Sequence, residues 1–217
     1  MKVKLNVPDS LSEITLGQYQ RFEKLNTVDN QDTSFLLQKM VEIFCGIDLK
    51  DIATIKFSDV QGIAATLNDL FQTSTPLIKK FTLQGKLLGF VPNLDDLTLG
   101  EYIDLDTNIT DWQTMHKAMA VLFREVTFEQ RHQYQIQKYE GITNSEAYKD
   151  MPLDVALGAQ SFFLSLGNEL LTHTLNYLEL DSTNPQLQET LLQNGDGIKA
   201  SMEFLKGILP SLMRLQN

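Results

Sequence analysis

Leu11-Ser-Glu-Ile-Thr-Leu-Gly-Gln-Tyr19 returns 83 residues later as Leu94-Asp-Asp-Leu-Thr-Leu-Gly-Glu-Tyr102, with Leu, Thr, Leu, Gly and Tyr in the same places. Val7-Pro8 and Val91-Pro92 precede the two copies, one residue out of step. No third copy exists, so this is one duplicated phrase and not the period of a solenoid. Thr15 with Gln18, and Thr98 with Glu101, have the spacing of a capping box. In that motif the threonine hydroxyl takes the N3 backbone N–H, and the N3 side chain takes the threonine's own N–H. Ile14 and Leu97 then stand at N′ and Tyr19 and Tyr102 at N4, the pair of a hydrophobic staple. Gly17 and Gly100 fall at N2, where the missing side chain lets another element come close. The phrase predicts two well-specified helix starts that serve as scaffold. A duplicated ligand site is the alternative.

Working outward, Lys2-Val-Lys-Leu-Asn-Val7 alternates like a short strand ended by Pro8. A first helix is expected from Thr15 to about Leu25, and a second through Phe35, Leu36, Met40, Val41 and Phe44, stopped by Gly46. Asp48 is placed as the cap of a short helix reaching Ile55, and Ser58 with Gln61 as a capping box before Ile63, Leu67, Leu70 and Phe71. Phe81 to Val91 has apolar residues on both sides of Gln84-Gly85-Lys86, the composition of a tight hairpin. A lone hairpin is marginal in water, so residues 2–7 are expected to add a third strand. Thr110 and Gln113 are read as boxing a helix with Trp112, Met115, Met119 and Leu122. Residues 126–142 stay open between strand, from the alternation of Tyr134 to Tyr139, and a helix capped by Thr127 and Gln130. A long helical pattern runs from Asp154 to Leu180, then one helix opens at Asn184-Pro185 and another carries Ile198, Met202 and Leu205 up to Pro210. The expected fold is mainly α: about eight helices with a small β-hairpin or three-stranded sheet from residues near 2–7 and 79–91. One domain, 1–217, accounts for the pattern, with 184–217 as a segment that could pack separately.

The 217 residues are 42% hydrophobic and 21% charged, enough for a packed core. Eighteen Lys and Arg against 28 Asp and Glu leave a formal charge of −10. That balance argues against direct nucleic-acid binding, which needs clustered cations. The lone cysteine, Cys45, excludes a disulfide framework within the chain and a multi-cysteine zinc site. Neither a signal peptide nor the ~18 uninterrupted apolar residues of a spanning helix is evident, so no membrane is expected.

Chemistry is sparse. The P-loop, dinucleotide-binding and nucleophile-elbow patterns are absent. His116, His132 and His173 are too scattered for a zinc-protease motif. Cys45 lies on an apolar helix and reads as a buried thiol. Asp104-x-Asp106-x-Asn108-x-Thr110 opens like a calcium loop, but Ile109 stands where the turn glycine belongs and Met115 where the bidentate glutamate belongs. A solvated acidic loop is preferred there. No catalytic, cofactor-binding or metal-ligating residue is assigned. Ile208, Leu209, Leu212, Met213 and Leu215 form an apolar run that must fold back onto the body or dock on a neighbour.

Gly89 to Asp106, continued by Asp111 to Arg124, together with Val7 to Tyr19, resembles a phrase of tailed-bacteriophage proteins of the structural and tail-assembly class. Where that phrase usually continues Tyr-Arg-Pro, this chain has Phe123-Arg124-Glu125. The resemblance implies a non-enzymatic virion-morphogenesis protein, a neck or tail component or a tail-assembly factor. Other phage structural or assembly proteins would be its partners, with homo-oligomerisation left open, in the host cytoplasm during assembly or in the virion. Two other classes stay in view: a small enzyme drawing on His116, Asp104, Asp106 and Cys45, and an acidic host-directed inhibitor.

Overall fold

The structure, a computed structural model, describes residues 5–26, 33–131, 133–163 and 165–166. Both copies of the duplicated phrase start helices as expected. A 3-10 turn, Leu11–Glu13, leads into α1 (Leu16–Glu23), and its counterpart Leu94–Asp96 leads into α5 (Leu99–Asn108). Thr15 and Thr98 sit in extended backbone and each closes a complete capping box. The Gln18 backbone N–H donates to Thr15 Oγ1 at 3.2 Å and the Thr15 N–H to Gln18 Oε1 at 2.8 Å. In the second copy the Glu101 N–H donates to Thr98 Oγ1 at 3.3 Å and the Thr98 N–H to Glu101 Oε2 at 2.7 Å. Each cap is worth about 1 kcal/mol.

Between the copies lie α2 (Thr33–Cys45), α3 (Leu49–Ile52) and α4 (Phe57–Phe71). Gly46 follows α2 at φ +65°, the left-handed stop that glycine supplies. Asp48 does stand at the start of α3, though its side chain makes no cap bond, and α3 ends at Ile52 short of Ile55. Ser58 and Gln61 do not form a box: α4 begins one residue before Ser58, with Lys56 at the N-cap. Val41, Ile47, Ile52 and Val60 close a small apolar cluster under these three helices.

The hairpin is present as β1 (Lys80–Leu83) and β2 (Lys86–Phe90), joined through Gln84 and Gly85, both at positive φ. Its neighbour is not residues 2–7. Residues 5–7 carry no strand, and 1–4 lie outside the described residues. The β2 edge is taken instead by β3 (Phe123–Gln130), which pairs with β4 (Gln133–Ile136), giving an antiparallel sheet in the order β1-β2-β3-β4. Phe90 opposite Phe123 fixes the register, the two rings meeting at 5.3 Å, and the Val91 N–H donates to Leu122 O at 2.8 Å. Residues 126–142 therefore resolve as strand in their first part. Thr110 and Gln113 likewise do not box a helix. They lie in a turn ahead of α6 (Met115–Leu122), where the Gln113 N–H is taken by Asp111.

A helix over residues 153–163, here α7, packs across the sheet, with Phe162 5.8 Å from Phe90. Gly158 is the contact point. A Cβ there would lie 2.3 Å from Pro76 O, so only glycine lets the helix cross that backbone. The core joins the buried faces of the sheet (Leu88, Phe90, Phe123) to α6 and α7, and continues through Trp112, Tyr19, Phe71, Phe44 and Phe22 as edge-on and tilted rings 4.7–5.5 Å apart. The protein is thus mainly α, with the sheet at 80–136. Leu180, Asn184-Pro185, the helix of Ile198, Met202 and Leu205, and the segment 184–217 lie outside the described residues.

Candidate docking interface

The two copies of the phrase share local geometry but not surroundings. In the first, the segment after the 3-10 helix Ser145–Asp150 lies antiparallel against it. The Leu16 N–H donates to Met151 O at 2.9 Å and the Leu153 N–H to Ile14 O at 2.8 Å, with Pro152 opposite Thr15. Ile14 and Leu16 are consequently fully buried. Gly17 is half-buried against this cover: a Cβ there would stand 3.0 Å from Lys149 O.

In the second copy no described segment takes that place. Leu99, the counterpart of Leu16, is 75% exposed, and Ile103, one turn on, is 51% exposed. Thr98 and Gly100 are exposed too, and the nearest atom to a Cβ on Gly100 is Tyr139 Cε1 at 3.9 Å. Leu99 and Ile103 stand at i and i+4, so they form one apolar stripe on α5. Asp95 and Asp96 precede it, and Asp104 and Asp106 follow within the same helix. Those last two residues lie in helix, not in the acidic loop expected from their spacing.

The exposed copy is held rigidly from below. Glu101 occupies the slot that Gln18 fills in the first copy, and the chemical difference decides their partners. Gln18 has an amide to donate, and gives it to Ile43 O at 2.9 Å. Glu101 has none, and its Oε1 receives Arg124 Nη2 at 2.6 Å, both side chains largely buried. Burial alone would raise the Glu101 carboxyl, but the Thr98 hydrogen bonds and the Arg124 charge outweigh it and hold the group below its ordinary value. Arg124 lies 5.7 Å from the centre of the Tyr139 ring, and the Tyr139 hydroxyl donates to Asp104. Burial, then that carboxylate, pushes the Tyr139 hydroxyl up. Arg124, Tyr139 and the exposed stripe were not singled out from sequence. The signal that could have found Arg124 is the Gln-to-Glu difference at N3, since a buried carboxylate calls for a cation.

The other residues singled out by type go elsewhere. His116, nearly buried, has Nδ1 3.1 Å from Gln20 Nε2 and Nε2 3.2 Å from Glu146 Oε1. Burial, and then nearby Lys149, keep its pKa below the ordinary value, against the pull of Glu146. Beside it a shallow groove of about 410 Å³ is lined by Gln18, Gln20, Arg21, Lys24, Gln113 and Lys149, among others. Cys45 is a half-buried free thiol, pushed up by burial to about 11. Among the described residues, no three His, Cys, Asp or Glu side chains stand together so as to hold a metal ion. His132, His173 and the apolar run Ile208, Leu209, Leu212, Met213 and Leu215 lie outside the described residues. No helix among the described residues is long and apolar enough to cross a membrane.

No family model matches the chain, and no solved structure matches it. Over 127 residues, 57% of its length, it is 31% identical to a protein of Mycoplasma pneumoniae named pyruvate dehydrogenase E1 component subunit alpha, and to the same subunit of Mycoplasma genitalium. The match takes in 32% of each subunit, so the chain spans about a third of the length of the curated relatives it matches.

Proposed function

We propose that this chain is a non-enzymatic bacteriophage morphogenesis protein that works by contact with other phage structural or assembly proteins, in the host cytoplasm during assembly or in the virion. The observation that supports it is the unequal burial of the duplicated phrase. One copy is sealed by an extended segment, while the other presents Leu99 and Ile103 to solvent on a rigid, acid-flanked helix. An apolar stripe rimmed by charge is the pattern of a protein contact. The stiff support from Glu101 and Arg124 keeps the stripe in one conformation, which lowers the ordering cost of binding.

The test is genetic and compositional together. Leu99→Asp with Ile103→Asp, in an otherwise intact phage, is expected to leave the protein folded and particle yield sharply reduced. Mass spectrometry of purified particles then separates a component, present at fixed stoichiometry, from an assembly factor, which is absent. Undiminished yield from the folded double variant would show that the stripe is not the contact face.

A further inference from the structure

We propose that the exposed α5 stripe docks on a second copy of this chain, in the basic groove beside α1, so that protomers join head to tail. The inference rests on reading the Leu99 stripe as a contact face, and it names the partner that meets it.

The stripe has a charge pattern as well as an apolar centre. Leu99, Ile103 and Asp106 follow one another along α5 at steps of four and three residues, which sets them on one face. Asp95 and Asp96 stand in the turn just before the helix, so acids bound the apolar pair at both ends. Asp104 is different: it accepts from the Tyr139 hydroxyl and belongs to the support beneath the stripe. A partner for this face needs cations at its two ends and apolar surface in the middle.

The groove beside α1 has that character. Arg21, Lys24 and Lys149 line it against one acid, Asp150, and its volume of about 410 Å³ is that of an ordinary binding cleft. Asp150 accepts from Gln84 at 3.0 Å, and Lys149 is held by Glu146 at 2.7 Å. Arg21 and Lys24 are exposed, and among the described residues neither has a carboxylate within ion-pair distance. The stems of Arg and Lys cover apolar side chains while their charged heads reach past them, which suits a leucine stripe ended by aspartates. The formal charge of −10 opposes association of whole chains. At physiological salt, however, the screening length is about 8 Å, so the groups in contact decide.

The same charges dictate the arrangement. Two α5 stripes laid face to face would set acid against acid, which opposes a two-fold pairing of like surfaces. Stripe and groove also belong to different parts of one body: α1 packs on α2 and on the Ser145–Asp150 turn, α5 on α6. The 75% exposure of Leu99 shows that the groove of its own chain does not reach it. A stripe-to-groove contact leaves one groove and one stripe free at the ends, so it propagates into a ring or a file of protomers. Each contact is small and weak alone, and gains from repetition in an assembly.

The experiment is sedimentation velocity on the full chain and on two variants, Arg21→Glu/Lys24→Glu in the groove and Leu99→Asp/Ile103→Asp in the stripe. Between about 5 and about 200 μM, the unaltered chain is expected to rise from the 24.6 kDa of one protomer past twice that mass. Each variant alone keeps one good face and is expected to stay at one protomer over the same range. Mixed in equal amounts, the two are expected to form a species of twice 24.6 kDa and nothing larger. The intact stripe of one then meets the intact groove of the other, while the two altered faces set acid against acid. Recovery in the mixture also shows that both variants are folded. If the charge reversal unfolds the chain, Arg21→Gln/Lys24→Gln takes its place with the same expectation. An unaltered chain that remains one protomer throughout overturns the proposal, and so does either variant associating as the unaltered chain does. Two folded variants that stay monomeric when mixed overturn it too, because the two faces then do not meet each other. No phage is involved, so a monomeric chain leaves the particle-yield test of the stripe standing. Full yield from the folded stripe variant likewise leaves the mass readings standing.

Discussion

Gly17→Ala sets two opposing effects against each other at one atom. The added Cβ would stand 3.0 Å from Lys149 O and 3.1 Å from Lys149 Cβ, so the two backbones must part by roughly half an ångström to reach ordinary contact. Lys149 is not free to retreat. Its turn is tied on one side by the paired bonds between Leu16 and Met151 and between Leu153 and Ile14. On the other side the Tyr148 hydroxyl donates to Phe123 O at 2.6 Å. Overpacking of this kind costs about 1–3 kcal/mol, and alanine in a helix returns up to ~1 kcal/mol. The net expectation is a loss of about 1 kcal/mol. Gly62→Ala measures the helix gain alone, because a Cβ added there on α4 would meet nothing within 4 Å, and it should stabilise by about 0.5–1 kcal/mol. Urea unfolding followed by the fluorescence of Trp112, the one tryptophan and a buried one, reads both. With a slope of ~2 kcal/mol/M, the Gly17→Ala midpoint should fall by about 0.5 M while that of Gly62→Ala rises, both with unchanged slope. If Gly17→Ala rises alongside Gly62→Ala, the segment over the first copy is not fixed, and the contrast between the two copies loses its basis.

Thr15→Ala and Thr98→Ala should each cost about 1 kcal/mol in the same assay, since each removes one half of a formed capping box. Glu101→Gln keeps a cap acceptor but leaves the buried Arg124 without its counter-charge, and a loss of about 3 kcal/mol is expected. Because the Glu101 carboxyl titrates below its ordinary 4.5 when folded, its contribution is full above that pH and is lost as pH falls through the lowered value. Glu101→Gln should therefore flatten the acid limb of stability against pH. His116, also lowered when folded, favours folding fully above its ordinary 6.5 and progressively less as pH falls below it. Thermal melts between pH 7.5 and 5.5 should show a decline that His116→Gln reduces, with Lys149, Lys117 and Glu146 as the charges facing the ring. Cys45, with its thiol pushed up to about 11, should react with a thiol reagent at pH 8 far more slowly in the native protein than in urea.

What the sequence made legible was local. Both capping boxes, the Gln84-Gly85 turn and the glycine stop after α2 depend on residues within four positions of one another, and all are present. The same kind of reasoning failed at Ser58/Gln61 and Thr110/Gln113, where the spacing is right but the helix starts elsewhere. At Thr110 the chain is still leaving α5, whose last turn runs through Asn108, so no free helix start exists for the threonine to cap. The third strand was misplaced for a non-local reason. Residues 2–7 alternate in sequence, but it is β3 that leaves α6 with Phe123 set to meet Phe90 across the sheet, and that contact is invisible in a period-two pattern. Asp104 to Asn108 read as loop from their acidity, whereas Leu105 and Asn108 on the buried side of α5 give that stretch a helical face.

The duplicated phrase separates what a local signal decides from what it cannot. Thr, Leu, Gly and Tyr at fixed offsets produce the same turn, cap and helix twice, so the backbone of each copy is determined within about ten residues. Its fate in the fold is set by what arrives from elsewhere: Ile43 and the segment 151–153 at one copy, Arg124 at the other. The amide at N3 of the first copy meets Ile43 and the carboxylate at N3 of the second meets the sheet's Arg124, whereas the exposure of Leu99 and Ile103 reflects the absence of any covering segment among the described residues. Replacing Glu101 with glutamine should therefore not convert the second copy into the first. No counterpart of the 151–153 segment stands beside Leu99 among the described residues, and the amide at 101 has only Arg124 to meet. The sealed state requires a cover as well as a cap.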